Sequence, residues 1–192
     1  MTIGLSTTDA KKLGLLSKDV YANAKEHGWH EQYQSPQHWL CLIMTEVSEA
    51  INADRKGKRA QLDKFMNGAK TIMPKKGHEE TWILAFSENI KDTVEDELAD
   101  VVIRLLDMSQ AIYGNDMEWL ATPSKFSEKK SFTETAWKLT SKHLNWDQYS
   151  IRESIAYVND WAESLGISLQ LHIKLKMAYN QFRPYKHGNK KY

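Results

Sequence analysis

The sequence predicts an all-α fold, a helical bundle, and three observations carry that prediction. Residues 36–55 place Trp39, Leu40, Ile43, Met44, Val47 and Ala50 in the three-and-four rhythm of one helix face. Residues 92–114 repeat the rhythm with Val94, Leu98, Val101, Leu105, Met108 and Ile112. No stretch of the 192 residues sustains the alternation of a half-buried strand, and no internal repeat is evident.

The elements follow in chain order. "LSKDVYANAKEHGW" reads as a first helix starting near Leu16 and ending near Gly28. The second has a stronger start, with Ser35 able to cap and Pro36 tolerated at the first helical position, and it should stop near "DRKGK". Residues 56–80 are lysine-rich and carry Gly57, Gly68, Pro74 and Gly77, which predicts a loop with a short helix around "RAQLDKFMNGA". "HEETWILAFSENI" is compatible with helix or irregular chain. Asp92 followed by Glu95 is a capping-box spacing that opens the next helix, and Gly114 can close it. "TPSKFSEKKSF" is a polar connector and "TETAWKLTSKHLN" a shorter helix. Ser150 with Glu153 repeats the start signal for a helix closed by Gly166, and a last helix runs from about Ser168 to the Pro184 boundary. A single domain over residues 1–192 is expected, with its core in 17–113 and 149–187 and insertions at 56–90 and 115–148.

Composition narrows the class. The 26 basic and 25 acidic residues leave a net charge of +1, so no excess of positive charge points to a nucleic acid polymer or an anionic membrane. No apolar segment is long enough to cross a bilayer, and "MTIGLSTTDAKKLGLL" lacks a signal-peptide core. Cys41 is alone, which excludes an intrachain disulfide and a thiolate cluster, and it reads as a small buried apolar residue. A cytoplasmic enzyme or binding protein fits this profile. Trp82, Trp119, Trp137, Trp146 and Trp161 read as packing residues.

Against that background two acidic pairs stand out. Glu46 and Glu49 lie three apart within "MTEVSEA", and Glu97 and Asp100 have the same separation in "DELAD". On a helix each pair points to one side, and two such helices packed together would gather four carboxylates. They would repel unless some were protonated or a divalent cation sat among them. All-oxygen ligation suits Mg²⁺, with Mn²⁺ also acceptable. The competing reading is two unrelated solvent-facing pairs. Glu95, Asp96 and Asp107 flank the second pair; any of them could join the site, but each reads more readily as a cap or surface residue.

In order along the chain, "EVSE" and "ELAD" resemble the E-x-x-E and E-x-x-D motifs of the all-α nucleoside triphosphate pyrophosphohydrolase superfamily, the MazG-like enzymes with their dCTP and dUTP pyrophosphatase relatives. "GWHEQYQSPQHWLCLIMTEVSEA" also looks like that family's first conserved region, and "KMAYNQFRPYKHG" like its closing segment. The resemblance implies magnesium-dependent hydrolysis of a nucleoside triphosphate to monophosphate and pyrophosphate, with dCTP or dUTP favoured. It implies Glu46, Glu49, Glu97 and Asp100 as metal ligands, with Glu49 or Glu46 holding or deprotonating the attacking water. Lys176, Asn180, Arg183 and Lys186 would face the phosphates, and His38, Trp39 and Trp29 the base. Self-association as a dimer or tetramer is expected as well. The segment between the acidic helices is longer than in many relatives, which leaves substrate and subunit arrangement open. The alternative is a catalytically inactive helical module that binds nucleotide or a protein partner. A phosphoesterase for monophosphates or cyclic nucleotides is disfavoured, because no histidine falls in an H-x-x-x-H or HD pattern.

Overall fold

The computed structural model describes residues 5–127, 130–189 and 191. The described residues form an all-helical bundle, and their one β-type pairing is an isolated bridge between Leu5 and Thr122. No helix among them is long and apolar enough to cross a membrane.

Helix α1 spans Thr7–Glu26 and begins well before the predicted Leu16, because Ser6 caps it by accepting from the Asp9 amide. Gly14 is tolerated inside this helix for a packing reason: a Cβ there would meet the Trp119 ring at 2.9 Å. Helix α2, Pro36–Arg55, starts as expected, with the Ser35 hydroxyl accepting from the His38 amide. Two short helices follow, α3 (Leu62–Ala69) and α4 (Glu79–Asn89), so the ambiguous "HEETWILAFSENI" is helical.

Helix α5 covers Val94–Tyr113, but its cap is Thr93, not Asp92. Thr93 accepts from the Asp96 amide at 3.3 Å, while Asp92 takes a left-handed conformation (φ 59°) one residue earlier. Helix α6, Phe132–Lys138, carries a complete capping box from Ser131 and Glu134 and widens into a π turn over Leu139–His143. Helix α7, Gln148–Ser164, is likewise capped one step away from the predicted Ser150: Asp147 accepts from the Ser150 amide. Glu153 is then free to pair with Lys125 (2.9 Å) and His143 (3.1 Å). Helix α8 spans Leu169–Asn180.

Helix α5 is the axis. It packs against α1, α2, α7 and α8, and it buries fourteen of its residues. Ile43, Val47, Leu98, Val101, Leu105, Ile155 and Trp161 belong to the main apolar cluster. The Ser17 hydroxyl donates to the Leu106 carbonyl at 3.0 Å and fastens α1 to it. A second cluster joins α3 and α4 to α8 through Phe65, Trp82, Phe86, Ile90, Leu175 and Ala178. Three packing expectations are corrected. Cys41 is exposed, on the outer face of α2. Trp137 and Trp146 are 71% and 41% exposed and therefore do not serve the core as Trp82 and Trp161 do.

Candidate functional site

The acidic pairs meet because α2 and α5 lie side by side, each with an apolar stripe that buries one edge of its acidic face. Carboxylate oxygens of Glu46, Glu49 and Glu97 all fall within 4.8 Å of one another. A second trio, Asp92, Asp96 and Glu97, meets the same limit and shares Glu97. Both groups can in principle coordinate a metal ion through oxygen. Glu46, Glu49, Asp92 and Glu97 line a cleft of ≈ 320 Å³ whose walls also carry Trp29, Lys91, Asp100, Arg104, Asp107, Lys176, Asn180, Arg183 and His187, with Asp96 buried behind them.

Two internal cations hold much of this charge. Lys176, only 5% exposed, places its ammonium 2.6 Å from Asp100 Oδ2 and 2.8 Å from Asp96 Oδ2. Arg104 donates from Nε to Glu46 Oε1 at 3.0 Å. Burial alone would lower the Lys176 ammonium, but Asp100 and Asp96 outweigh it and hold the pKa well above the ordinary lysine value. The carboxyls move the other way. Burial, then the charges of Asp100 and Asp96, push Glu97 up to about 9. Burial and then Asp100 push Glu46 to about 7 against the pull of Arg104. Asp96 rises to about 6, because burial exceeds what Lys176 returns.

These shifts predict a pH dependence of stability. Glu97 ionises near 4.5 when unfolded and near 9 when folded, so between those values the folded state holds a proton the unfolded chain has lost. Stability without metal is therefore greatest below the unfolded value and falls as pH rises toward 9, by at most about 1.4 kcal/mol per pH unit for each such group. Urea denaturation from pH 5 to 9 in EDTA checks this. Glu97→Gln should flatten the slope, and a wild-type slope that is flat or rising would contradict the assignment.

The predicted phosphate contacts separate into different roles. Lys176 lines the cleft but is committed to Asp96 and Asp100. Asn180 lines it too, at 8% exposure, and its buried side-chain carbonyl oxygen has no hydrogen-bond partner. Arg183 is half-buried in the cleft, and burial holds its pKa below the usual guanidinium value. Lys186 instead pairs with Glu31 at 3.0 Å, away from the acidic cluster. For the base, Trp29 lines the cleft and a smaller adjoining pocket of ≈ 30 Å³ that also includes His38, Trp39 and Lys186. The Trp39 ring is 3% exposed and stacks on His30 at 5.4 Å.

Glu95, Asp96 and Asp107 are not surface groups: all three are buried, and Asp107 pairs with His30 at 2.8 Å. Arg104 and Lys91 line the cleft without having been marked by any motif. Arg104 follows Asp100 by four residues, so its place on the acidic face was available from helical spacing alone. Lys91 carries no such signal.

No family model, curated protein or solved structure matches this chain.

Proposed function

We propose that the chain hydrolyses a nucleoside triphosphate at its α–β linkage, releasing nucleoside monophosphate and pyrophosphate, on the MazG-like helical plan its acidic motifs resemble. The observation that carries this reading is the convergence of Glu46, Glu49 and Glu97 in a cleft that also holds Arg183. The donor set fits Mg²⁺ or Mn²⁺: it is all carboxylate oxygen, burial and neighbouring charge push Glu46 and Glu97 toward protonation, and the orphaned Asn180 carbonyl oxygen lines the same space. Glu46, Glu49 and Glu97, with Asp100 beside them, would hold the ion, which supplies Lewis-acid polarisation and charge neutralisation at a phosphoryl group.

The chain's own residues divide the remaining work. Glu49 is exposed at the cleft, whereas Glu46 is tied to Arg104, so Glu49 is the better placed to orient or deprotonate water in line with the leaving pyrophosphate. Arg183 can fork onto phosphate oxygens. Lys176 acts one step back by neutralising Asp96 and Asp100. Trp29, His38 and Trp39 border the smaller pocket and are the candidates for the base, with dCTP or dUTP the favoured substrates.

The test is product analysis after incubation with a panel of common and modified nucleoside triphosphates, with magnesium and with EDTA. Monophosphate plus pyrophosphate, abolished by EDTA, is expected. Diphosphate plus orthophosphate would reject cleavage at the α–β linkage, and absence of both turnover and nucleotide binding would favour an interaction module. Self-association as a dimer or tetramer is part of the proposal, and exposed apolar groups such as Leu15 and Met44 are compatible with it. A monomeric mass by light scattering across a concentration series would remove that part.

A further inference from the structure

The loop entering α5 is supplied by the α3–α4 hairpin, the segment whose length sets this chain apart from the pattern it resembles. The hairpin has its own apolar cluster, and that cluster closes on the outer face of α8: the Phe86 ring stacks on Tyr179 at 4.5 Å, with Leu175 and Ala178 beside them. One element therefore braces the helix bearing Lys176 and Asn180 and also delivers the Ile90–Thr93 loop to the cleft. That loop is tightly fixed. The Lys91 amide donates to the Phe86 carbonyl at 3.0 Å, the Asp92 amide to Asp96 Oδ2 at 3.0 Å, and the Thr93 hydroxyl to the Ile90 carbonyl at 2.6 Å. The Val94 amide is anchored on the Lys58 carbonyl at 3.2 Å. The result is a Lys91 side chain placed in the cleft from a third wall, beside Asp92 and Glu97.

The cations of this cleft are not equivalent. Lys176 and Arg104 are bonded to buried carboxylates and cannot leave them cheaply. Among the described residues Lys91 pairs only with Asp92, at 2.6 Å, and the two side chains are 36% and 54% exposed. An exposed pair of this kind is weak, so the ammonium can exchange to a multivalent anion. Among the described residues no carboxylate lies within 4.0 Å of the Arg183 guanidinium, which leaves it available as well.

We propose that Lys91 is a phosphate-binding residue, engaging the non-bridging oxygens of a linear polyphosphate together with Arg183, and that the α3–α4 hairpin exists in this chain to present it. The inference rests on the reading that the cleft accepts a phosphate chain, and it is independent of which bond is cleaved.

Inorganic tripolyphosphate is the probe, titrated calorimetrically into the full chain in magnesium buffer. Lys91→Met should weaken its binding at least about tenfold, Lys91→Arg should retain most of it, and Lys75→Met, an exposed lysine of the same segment outside the cleft, should match wild type. Thermal melts and magnesium binding should be unchanged in all three. Equal affinity for wild type and Lys91→Met overturns the proposal, as does failure of wild type to bind tripolyphosphate. Lys91-dependent tripolyphosphate binding by a protein that cleaves no nucleotide would leave this inference standing and reject the reaction. Pyrophosphate release from a nucleotide with no dependence on Lys91 would do the reverse.

Discussion

Glu49→Gln is expected to lower triphosphate turnover by roughly 10²–10⁴-fold, the usual range for a lost general base or water-orienting group, while leaving the fold intact. The substitution keeps size and removes charge. Glu49 is exposed, makes no ion pair among the described residues, and sits within 4.8 Å of Glu46 and Glu97, so the metal-free bundle should lose nothing and gain slightly from reduced repulsion. Glu46→Gln is a poorer probe, because it also strips the partner from Arg104. Asp100→Asn has the same defect, since Asp100 makes the shorter of the two contacts to Lys176 at 2.6 Å. Steady-state rates at saturating magnesium, read beside a thermal melt, separate chemistry from folding. Turnover within threefold of wild type by Glu49→Gln would end its assignment to the water.

The helices and the acidic pairs were legible because each is a periodic feature. The stripes of α2 and α5 repeat every three or four residues, and Glu46/Glu49 and Glu97/Asp100 ride on those stripes at the same spacing. Caps were less legible. Asp92 and Thr93 are both competent cap residues, and the choice turned on a left-handed φ at Asp92, which lets its amide bond to Asp96. The role of Lys176 could not be read locally at all. It follows from α8 lying along α5 so that residues some eighty positions apart meet, and periodicity on one helix says nothing of which charge lies across the groove. Lys91 is a more extreme case, since its position depends on how a hairpin outside the recognised motifs packs onto α8.

Lys176→Met should therefore act first on stability, and only through that on binding. The methionine fills the space of the lysine stem but leaves Asp96 and Asp100 without their common counter-charge, and Asp96 is 1% exposed. Breaking a buried pair by removing one partner typically costs about 3–5 kcal/mol, and for a chain of this size each kcal/mol lowers Tm by roughly 2–4 °C. Part of the cost can be evaded by protonating an aspartate. Asp96 already titrates near 6, mainly because of burial, and loss of Lys176 moves it higher still, so the destabilisation should be smaller at pH 5 than at pH 8. Adding Asp96→Asn to Lys176→Met removes one orphaned charge outright and should restore a large part of the loss. The corresponding double-mutant cycle then reports a coupling well above the few tenths of a kcal/mol seen for independent sites. Magnesium should stabilise the single variant through mass action on the folded state, since a cation among the remaining carboxylates offsets the same repulsion. Urea denaturation of the four proteins at the two pH values measures all of this. A Lys176→Met protein within about 1 kcal/mol of wild type at pH 8 would mean that the ammonium is dispensable to the fold, and would return Lys176 to the phosphate-binding role its motif suggests.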